Sequence, residues 1–235
     1  MSEQNDIIYG VHPVVEALKN PRRKIYSLKA SKNAADRLAA EIAARGLTPE
    51  IVHPNVLDRR LGPDAVHQGL LMEARALDQP RLDQIEKSGI VVLLDQVTDP
   101  HNVGAILRSC AAFNVTALVA TARHSPEASA VLFKSASGAY EHVPFVKVTN
   151  LARAIQELKD ASFRILGLDS DAPEEISGID ARPPIAIVLG AEGKGLRQLT
   201  RDSCDHLVRL AMNGPIRSLN VSNACAVSLY ALTRR

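Results

Sequence analysis

The chain has 235 residues, of which 46% are hydrophobic, enough to bury a core and to exclude general disorder. No apolar run approaches the roughly 18 residues of a membrane-spanning helix. The formal net charge of +2, the 3% aromatic content and the lack of Trp give no sign of a nucleic-acid partner. Three scattered cysteines without a CxxC pair predict a reducing cytoplasmic location and no zinc site.

The first third of the chain is predicted to be a small α/β domain. Strand-like runs lie at 25–30, 49–53 and 69–74. Between the first two, Asn33 can cap a helix that runs to Arg45, because Leu38 and Ile42 recur at helical spacing. A polar segment with a proline follows at 77–81. We therefore predict a domain over residues 1–76 and a linker over 77–87.

The rest of the chain, residues 88–235, alternates short apolar runs with helical patterns. The runs, rich in Val, Ile and Leu, lie at 90–94, 116–120, 145–148, 164–168 and 185–189. Helical patterns lie at 102–113, 127–135 and 150–161, and a last strand at 206–210 precedes a helix at 220–232. Buried strands that alternate with helices are typical of a parallel sheet covered on both faces, so the predicted fold class is α/β.

In such a sheet, ligands bind beyond the carboxyl ends of the strands, so the loops there are the places to search. The first, 95–108, follows the strand at 90–94. Its Asp99, Pro100 and Asn102 are ordinary turn and cap residues. Arg108 is not explained in this way, because it lies among apolar residues. It is either a functional cation or the partner of a carboxylate on the helix flank.

The second loop, 190–196, has three glycines in a GxxGxG pattern. This differs from the GxGxxG of dinucleotide sites and from the phosphate loop of nucleotide hydrolases, which argues against a nucleotide-dependent oxidoreductase. The glycines allow either a close approach to a ligand or simply a tight turn. Glu192 is unusual here, because a carboxylate would repel a phosphate.

The third loop, 210–224, joins a strand to the final helix. It crowds four polar side chains into six positions: Ser218, Asn220, Ser222 and Asn223. One or two of them would be enough to cap the helix. The surplus indicates a function for this loop.

Together, these loops resemble the three motifs of the SpoU (TrmH) family of RNA 2′-O-ribose methyltransferases. The matching stretches are NVGAILR at 102–108, GAEGKG at 190–195 and MNGPIRSLNVS at 212–222. The resemblance covers residues 88–235. It extends to IYGVHP at 8–13 and AVHQG at 65–69, which are similar to the substrate-binding domain of some members. One departure is Leu210-Ala-Met212, where the family usually has Ile-Pro-Met, and the lost proline predicts a slightly less rigid loop.

The resemblance implies a fold and a set of partners that periodicity does not reveal. The C-terminal domain would be a trefoil-knotted methyltransferase domain of the SPOUT type, preceded by an RNA-binding domain like ribosomal protein L30e. S-adenosylmethionine would bind in the knot near Gly190, Leu210 and Leu219. The protein would be a homodimer whose active site takes residues from both subunits, with RNA as its substrate and no membrane or metal partner.

The resemblance also implies the reaction, methyl transfer to a ribose 2′-oxygen, with a guanosine of 23S ribosomal RNA as the expected target. Arg108 would be central, as a cation that binds phosphate and stabilises alkoxide charge, because an arginine pKa above about 12 makes a poor base. Glu192 would orient Arg108 or another loop group. Asn102, Ser218 and Asn220 would supply hydrogen bonds.

For RNA binding in the front domain, the basic segment 19–24 points to Arg22 and Arg23, with a merely solvated turn as the alternative. Two other interpretations of the whole chain remain open. One is the same reaction on a transfer RNA guanosine, and the other is a non-catalytic RNA-binding or ribosome-assembly protein.

Overall fold

A computed structural model describes residues 5–180 and 182–234. The N-terminal part forms a four-stranded sheet in the order β1-β4-β2-β3. Its strands are β1 (Asn5–Tyr9), β2 (Ile25–Ala30), β3 (Glu50–Ile51) and β4 (Leu70–Arg75). The central strand β4 is antiparallel to β1 and β2, whereas β3 is parallel to β2. Where a strand is predicted over 49–53, the structure has only the two residues of β3.

Four short helices accompany this sheet: α1 (Val11–Lys19), α2 (Lys32–Arg37), α3 (Ala39–Ala44) and α4 (Pro54–Leu61). The prediction of one helix from Asn33 to Arg45 is wrong. The backbone leaves the helical region at Leu38, with φ −105° and ψ 19°, and the first piece is capped by Ser31. Strand β1 and helices α1 and α4 were not predicted, although Pro54 in the first turn of α4 is a typical start signal.

The C-terminal part is a seven-stranded, fully parallel sheet in the order β7-β6-β5-β10-β8-β11-β9. Its strands are β5 (Ile90–Asp95), β6 (Ala117–Thr121), β7 (Phe145–Val148), β8 (Arg164–Leu168), β9 (Glu174–Glu175), β10 (Ile185–Gly190) and β11 (His206–Arg209). Alternate residues of β5 enter two different cores: Val92 and Leu94 join one, and Val91 and Leu93 the other. This two-sided burial explains why the strands read as continuous apolar runs, and it confirms the α/β prediction.

Helices cover both faces of this sheet: α5 (Pro100–Ala112), α6 (Ala130–Ala136), α7 (Leu151–Asp160), α8 (Gln198–Ser203) and α9 (Val221–Thr233). On one face, α5 packs against α6 and α9, and α7 and α8 lie on the other. Helix α6 begins three residues later than predicted, because the Ser129 hydroxyl caps it by accepting from the Leu132 amide.

The two parts meet at a buried cluster of charges around Arg23. Its guanidinium, whose side chain is 0% exposed, donates to Asp6 at 2.5 Å and to Glu141 at 2.8 Å. Asn20 donates to the same Glu141 carboxylate at 2.7 Å. The prediction that Arg23 contacts RNA is therefore wrong, because its charge is neutralised inside the protein. The neighbouring Arg22 is exposed.

The segment predicted as a linker packs against the larger sheet. Leu82 and Ile85 are buried in one of its two cores. The side-chain oxygen of Gln79 accepts a hydrogen bond from the Phe145 amide at 2.9 Å. In the part of the chain that the structure describes, no helix is long and apolar enough to cross a bilayer.

Candidate active site

The carboxyl ends of β8, β10 and β11 surround a cavity of about 330 Å³. Three segments line it: 168–170 at the end of β8, 189–195 at the end of β10, and 210–224 after β11. The sequence predicts ligand binding at this edge, and the volume is at the lower end of the range for small-molecule sites.

The glycine-rich loop after β10 folds back on itself. Ala191 and Gly195 form an isolated bridge, and Gly193 and Gly195 have φ values of 75° and 65°. A Cβ on Gly190 would lie 2.2 Å from the carbonyl carbon of Gly195, so no side chain fits there. The loop is thus a tight turn and also a wall of the cavity, and the two interpretations of its glycines are compatible.

Glu192, in this turn, joins the three motif loops. Its Oε1 accepts from Asn102 Nδ2 at 3.0 Å and from Asn220 Nδ2 at 2.6 Å. Asn220 Nδ2 also lies 3.0 Å from Asn102 Oδ1. We call these three residues the Asn–Glu cluster. Its members come from the first turn of α5, the loop after β10 and the cap of α9, so three separate motifs converge on one group.

The orientation of the Asn220 amide is determined by its second role, as the cap of α9. Its Oδ1 accepts from the backbone N–H of Ser222 at 2.9 Å and from the Ser222 hydroxyl at 2.5 Å. The amide nitrogen is therefore the atom that faces Glu192. This explains part of the polar crowding in the third loop, because one residue both caps the helix and completes the cluster.

A buried carboxylate that the sequence analysis missed supports the same edge. Asp95, 0% exposed, ends β5 beside Gly190 and accepts from the Arg197 backbone N–H at 3.0 Å and from its Nε at 2.7 Å. It thus ties the end of the glycine loop to the neighbouring strand. The sequence did offer a signal for this residue, because Asp95 directly follows the apolar run of the strand.

Arg108 lies on α5, six positions beyond Asn102, and is exposed. Among the described residues it has no ion-pair partner, so the alternative of a carboxylate on the helix flank finds no support. Nor does it reach Glu192, whose Oε1 is shared by the two asparagines. Of the two partners predicted for Glu192, the structure therefore has other loop residues, Asn102 and Asn220, and not Arg108.

The cavity beside the Asn–Glu cluster suits a ligand with an apolar face and polar ends. Its lining combines the apolar Leu189, Leu210, Leu219 and Ala224 with the polar Ser218, Arg217 and Asp169. The resemblance predicts four of the lining residues as part of the site: Gly190, Leu210 and Leu219 at the cofactor, and Ser218 as a hydrogen-bonding group. Arg217, Met212 and Asp169 were not predicted to line a cofactor site. Asp169 is the hardest of the three to predict from the sequence, because it lies outside all three motifs.

The lining is compatible with S-adenosylmethionine. The leucines offer an apolar slot for an adenine ring, and the close approach of Gly190 to Gly195 leaves backbone groups along one wall. Among residues 5–180 and 182–234, no three His, Cys, Asp or Glu side chains cluster as metal ligands would. The absence of a metal partner stays a prediction.

Comparison with known proteins agrees with this geometry. Residues 89–230 match the SpoU rRNA Methylase family, and residues 7–80 match the domain described as RNA 2′-O ribose methyltransferase substrate binding. The 23S rRNA (guanosine-2′-O-)-methyltransferase RlmB of Yersinia pestis is 37% identical, over 98% of each chain. YacO of Bacillus subtilis, assigned to the TrmH family of tRNA/rRNA methyltransferases, is 32% identical over 100% of this chain and 98% of its own length.

Among solved structures, the SpoU methyltransferase AviRb from Streptomyces viridochromogenes, in complex with AdoMet, superposes with a TM-score of 0.81 at 23% identity. The match covers 98% of this chain and 89% of that one. The fold is thus that of the SPOUT methyltransferases, as predicted, and the cavity lies where three of its strands end. The chain belongs to the SpoU rRNA methylase family, whose match spans residues 89–230.

Proposed function

We propose that the protein transfers a methyl group from S-adenosylmethionine to the 2′-oxygen of a guanosine ribose in 23S ribosomal RNA. The observation that carries this proposal is the Asn–Glu cluster, which draws the three motif loops together beside the cavity. The target is supported by relatives such as the Yersinia pestis enzyme, which is named for a 23S rRNA guanosine.

In this proposal, the cavity walls at Gly190, Leu210 and Leu219 hold the cofactor. When bound, S-adenosylmethionine supplies a methyl group that is already activated by its positive sulfur. The protein has then mainly to align the two reactants and to exclude competing water. The Asn–Glu cluster does the first of these, because it holds the glycine loop and the start of α9 in one arrangement.

Arg108 provides the positive charge. Its guanidinium is exposed and free of carboxylates among the described residues, so its five N–H donors are available to a phosphate and to a developing alkoxide. It stabilises the anion while the 2′-hydroxyl proton passes to solvent, and it does not itself accept the proton. Ser218, in the cavity lining, supplies a further hydrogen bond to the cofactor or the RNA.

The proposal includes a homodimer. Val227 and Tyr230 on α9 are 46% and 49% exposed, and the Tyr230 ring packs edge-on against Phe113 at the end of α5. These apolar side chains adjoin the end of the helix that carries Arg108, and they offer a surface for a second copy of the chain. Sedimentation velocity of the protein and of Tyr230→Glu tests this: we expect a dimer and a monomer respectively.

The N-terminal domain, proposed to span residues 1–76, would hold the RNA, with Arg22 as a candidate contact. The proposed substrate places the activity in the cytoplasm. The alternatives are the same reaction on transfer RNA and a non-catalytic RNA-binding role.

One experiment separates these functions. The protein is incubated with S-adenosylmethionine labelled in its methyl group and with unmodified 23S ribosomal RNA or transfer RNA in separate reactions, and the modified nucleotide is mapped. We expect label on a ribose of 23S RNA alone. Label on transfer RNA would replace the proposed substrate, and binding of RNA without label on either would favour the non-catalytic interpretation.

A further inference from the structure

A second cavity, of about 260 Å³, opens on the same edge of the large sheet but over β6 and β7. We call it the β6–β7 cavity. Its lining comes from the ends of those strands, from the start of α7 and from the segment that enters α8: Thr121, Arg123, His124, Thr149, Asn150 and Arg197, with four further residues. None of these lining residues is acidic.

The charges and dipoles around this cavity favour an anion. Arg123 is exposed and has no ion-pair partner among the described residues, and His124 is beside it. The first residues of the ten-residue helix α7 also line the cavity, with Asn150 as the cap, so the positive end of the helix dipole faces it. Arg197 adds a second cation, partly neutralised by Asp95 at 2.7 Å.

A buried hydroxyl independently indicates a missing partner. Thr121 is 5% exposed, and its Oγ1 has no hydrogen-bond partner among the residues that the structure describes. Along β6 its side chain follows Ala117 and Val119 on the face that packs against α7, so it lies beneath the start of that helix. Buried hydroxyls normally have partners, and a ligand oxygen would supply one here.

The β6–β7 cavity is separate from the candidate active site. In the sheet, β5 lies between β6 and β10, whose end lines the cofactor cavity. Strands are about 4.8 Å apart, so β6 and β10 are about 10 Å apart along this edge. The loop after β5 lies between them, and it leads into α5, whose first turn carries Asn102 of the Asn–Glu cluster. An RNA strand with one ribose at that cluster can therefore place a neighbouring phosphate at the second cavity.

We propose that the β6–β7 cavity binds a backbone phosphate of the substrate RNA close to the methylated nucleotide, through Arg123, the Thr121 hydroxyl and the start of α7. This inference rests on the proposed function, because it takes RNA as the substrate. It assigns no base contact, so the cavity positions the strand and does not read its sequence.

Two substitutions test the cavity through RNA binding. Arg123→Gln removes the unpaired cation, whereas Thr121→Val removes only the hydroxyl and keeps the shape. We expect Arg123→Gln to weaken binding of a 23S ribosomal RNA transcript several-fold at low salt and to reduce the slope of log affinity against log salt by about one. We expect Thr121→Val to weaken binding with an unchanged slope, since it removes no charge.

Arg182→Gln is the matched control. Arg182 is exposed, pairs with Asp180 and precedes β10, at the opposite end of the strands. Arg182→Gln removes the same charge from the chain, so a general electrostatic effect would weaken RNA binding by this variant as much as by Arg123→Gln. Thermal unfolding of each variant excludes misfolding, and Thr121→Val should be as stable as the parent, because it replaces a buried unpartnered hydroxyl by a methyl group.

The outcomes separate this inference from the proposed function. If Arg123→Gln and Arg182→Gln have the same RNA affinity and the same slope of log affinity against log salt, while the parent binds RNA normally, the phosphate site is overturned. The proposed function is not affected by that result. A weaker affinity for S-adenosylmethionine in Arg123→Gln would also overturn it, by assigning the cavity to the cofactor. If the parent protein methylates no RNA, the proposed function fails first, and the binding data still decide whether the cavity holds a phosphate.

Discussion

Arg23 and Glu141 form a buried ion pair across 118 positions of the sequence. The guanidinium donates to both carboxylate oxygens, at 2.8–3.2 Å, and the two side chains are 0% and 4% exposed. Arg23 belongs to the small N-terminal domain and Glu141 to the large one. The pair therefore holds the domain proposed to bind RNA at a set position against the domain proposed to carry the reaction.

The first prediction concerns this pair. Arg23→Ala leaves Asp6 and Glu141 as buried carboxylates without their cation, and loss of one partner of a buried pair costs about 3–5 kcal/mol. Urea denaturation should show this loss. Arg37→Ala, which removes an exposed arginine from α2, should change the free energy of unfolding by less than about 0.5 kcal/mol. Unchanged stability of Arg23→Ala, with weaker RNA binding, would restore the surface interpretation of Arg23.

Alkaline pH should destabilise the same junction through Tyr140. Burial, with a smaller contribution from the charge of Asp6, raises the pKa of Tyr140 from 10.0 to about 12. A raised folded-state pKa contributes stability that is fully present below pH 10 and is lost as the pH rises towards 12. The free energy of unfolding, measured with urea at several pH values in this window, should fall more steeply with pH for the parent than for Tyr140→Phe. Equal slopes would show that Tyr140 ionises as freely in the folded protein as in the unfolded chain.

The Asn–Glu cluster can be broken without removing the helix cap. Asn220→Asp keeps the oxygen that accepts from the Ser222 amide but replaces the donor to Glu192 by a second carboxylate. We expect the rate of methyl transfer to fall at least tenfold at pH 8. It should recover in part at lower pH, because two adjacent carboxylates share a proton that restores a donor.

The matched control is Asn223→Asp, an exposed position in the first turn of the same helix α9. It adds the same charge without touching Glu192, so its rate and pH profile should stay close to those of the parent. If both variants lose the same activity, the effect comes from charge at the helix start and the cluster has no part in it.

Arg108→Ala tests the proposed catalytic cation. Removing a group that stabilises charge only in the transition state typically lowers kcat by about 10²–10³, and we expect a loss of that size. Affinity for S-adenosylmethionine, measured by calorimetry, should not change, because Arg108 does not line the cofactor cavity. Near-normal turnover in this variant would remove Arg108 from the mechanism.

The local pattern of the sequence was sufficient for the large sheet. The run 90–94 predicts a strand buried on both sides, because residues 90–94 of β5 alternate between the two cores and must be apolar to enter either one. The same logic failed in the small domain, where β3 has two residues and the helix expected up to Arg45 is interrupted at Leu38. Short elements there depend more on their neighbours than on their own periodicity.

By itself, the sequence determined the fold class and the three loops that carry the candidate site, since strand periodicity and motif order are local properties of the chain. Only the tertiary structure decided which groups meet. Glu192 finds its partners 90 and 28 positions away, and a residue of a basic surface run, Arg23, proves to be internal. The physical reason is that hydrogen bonding and burial depend on distance in space, which packing sets after the local pattern has placed the strands and helices.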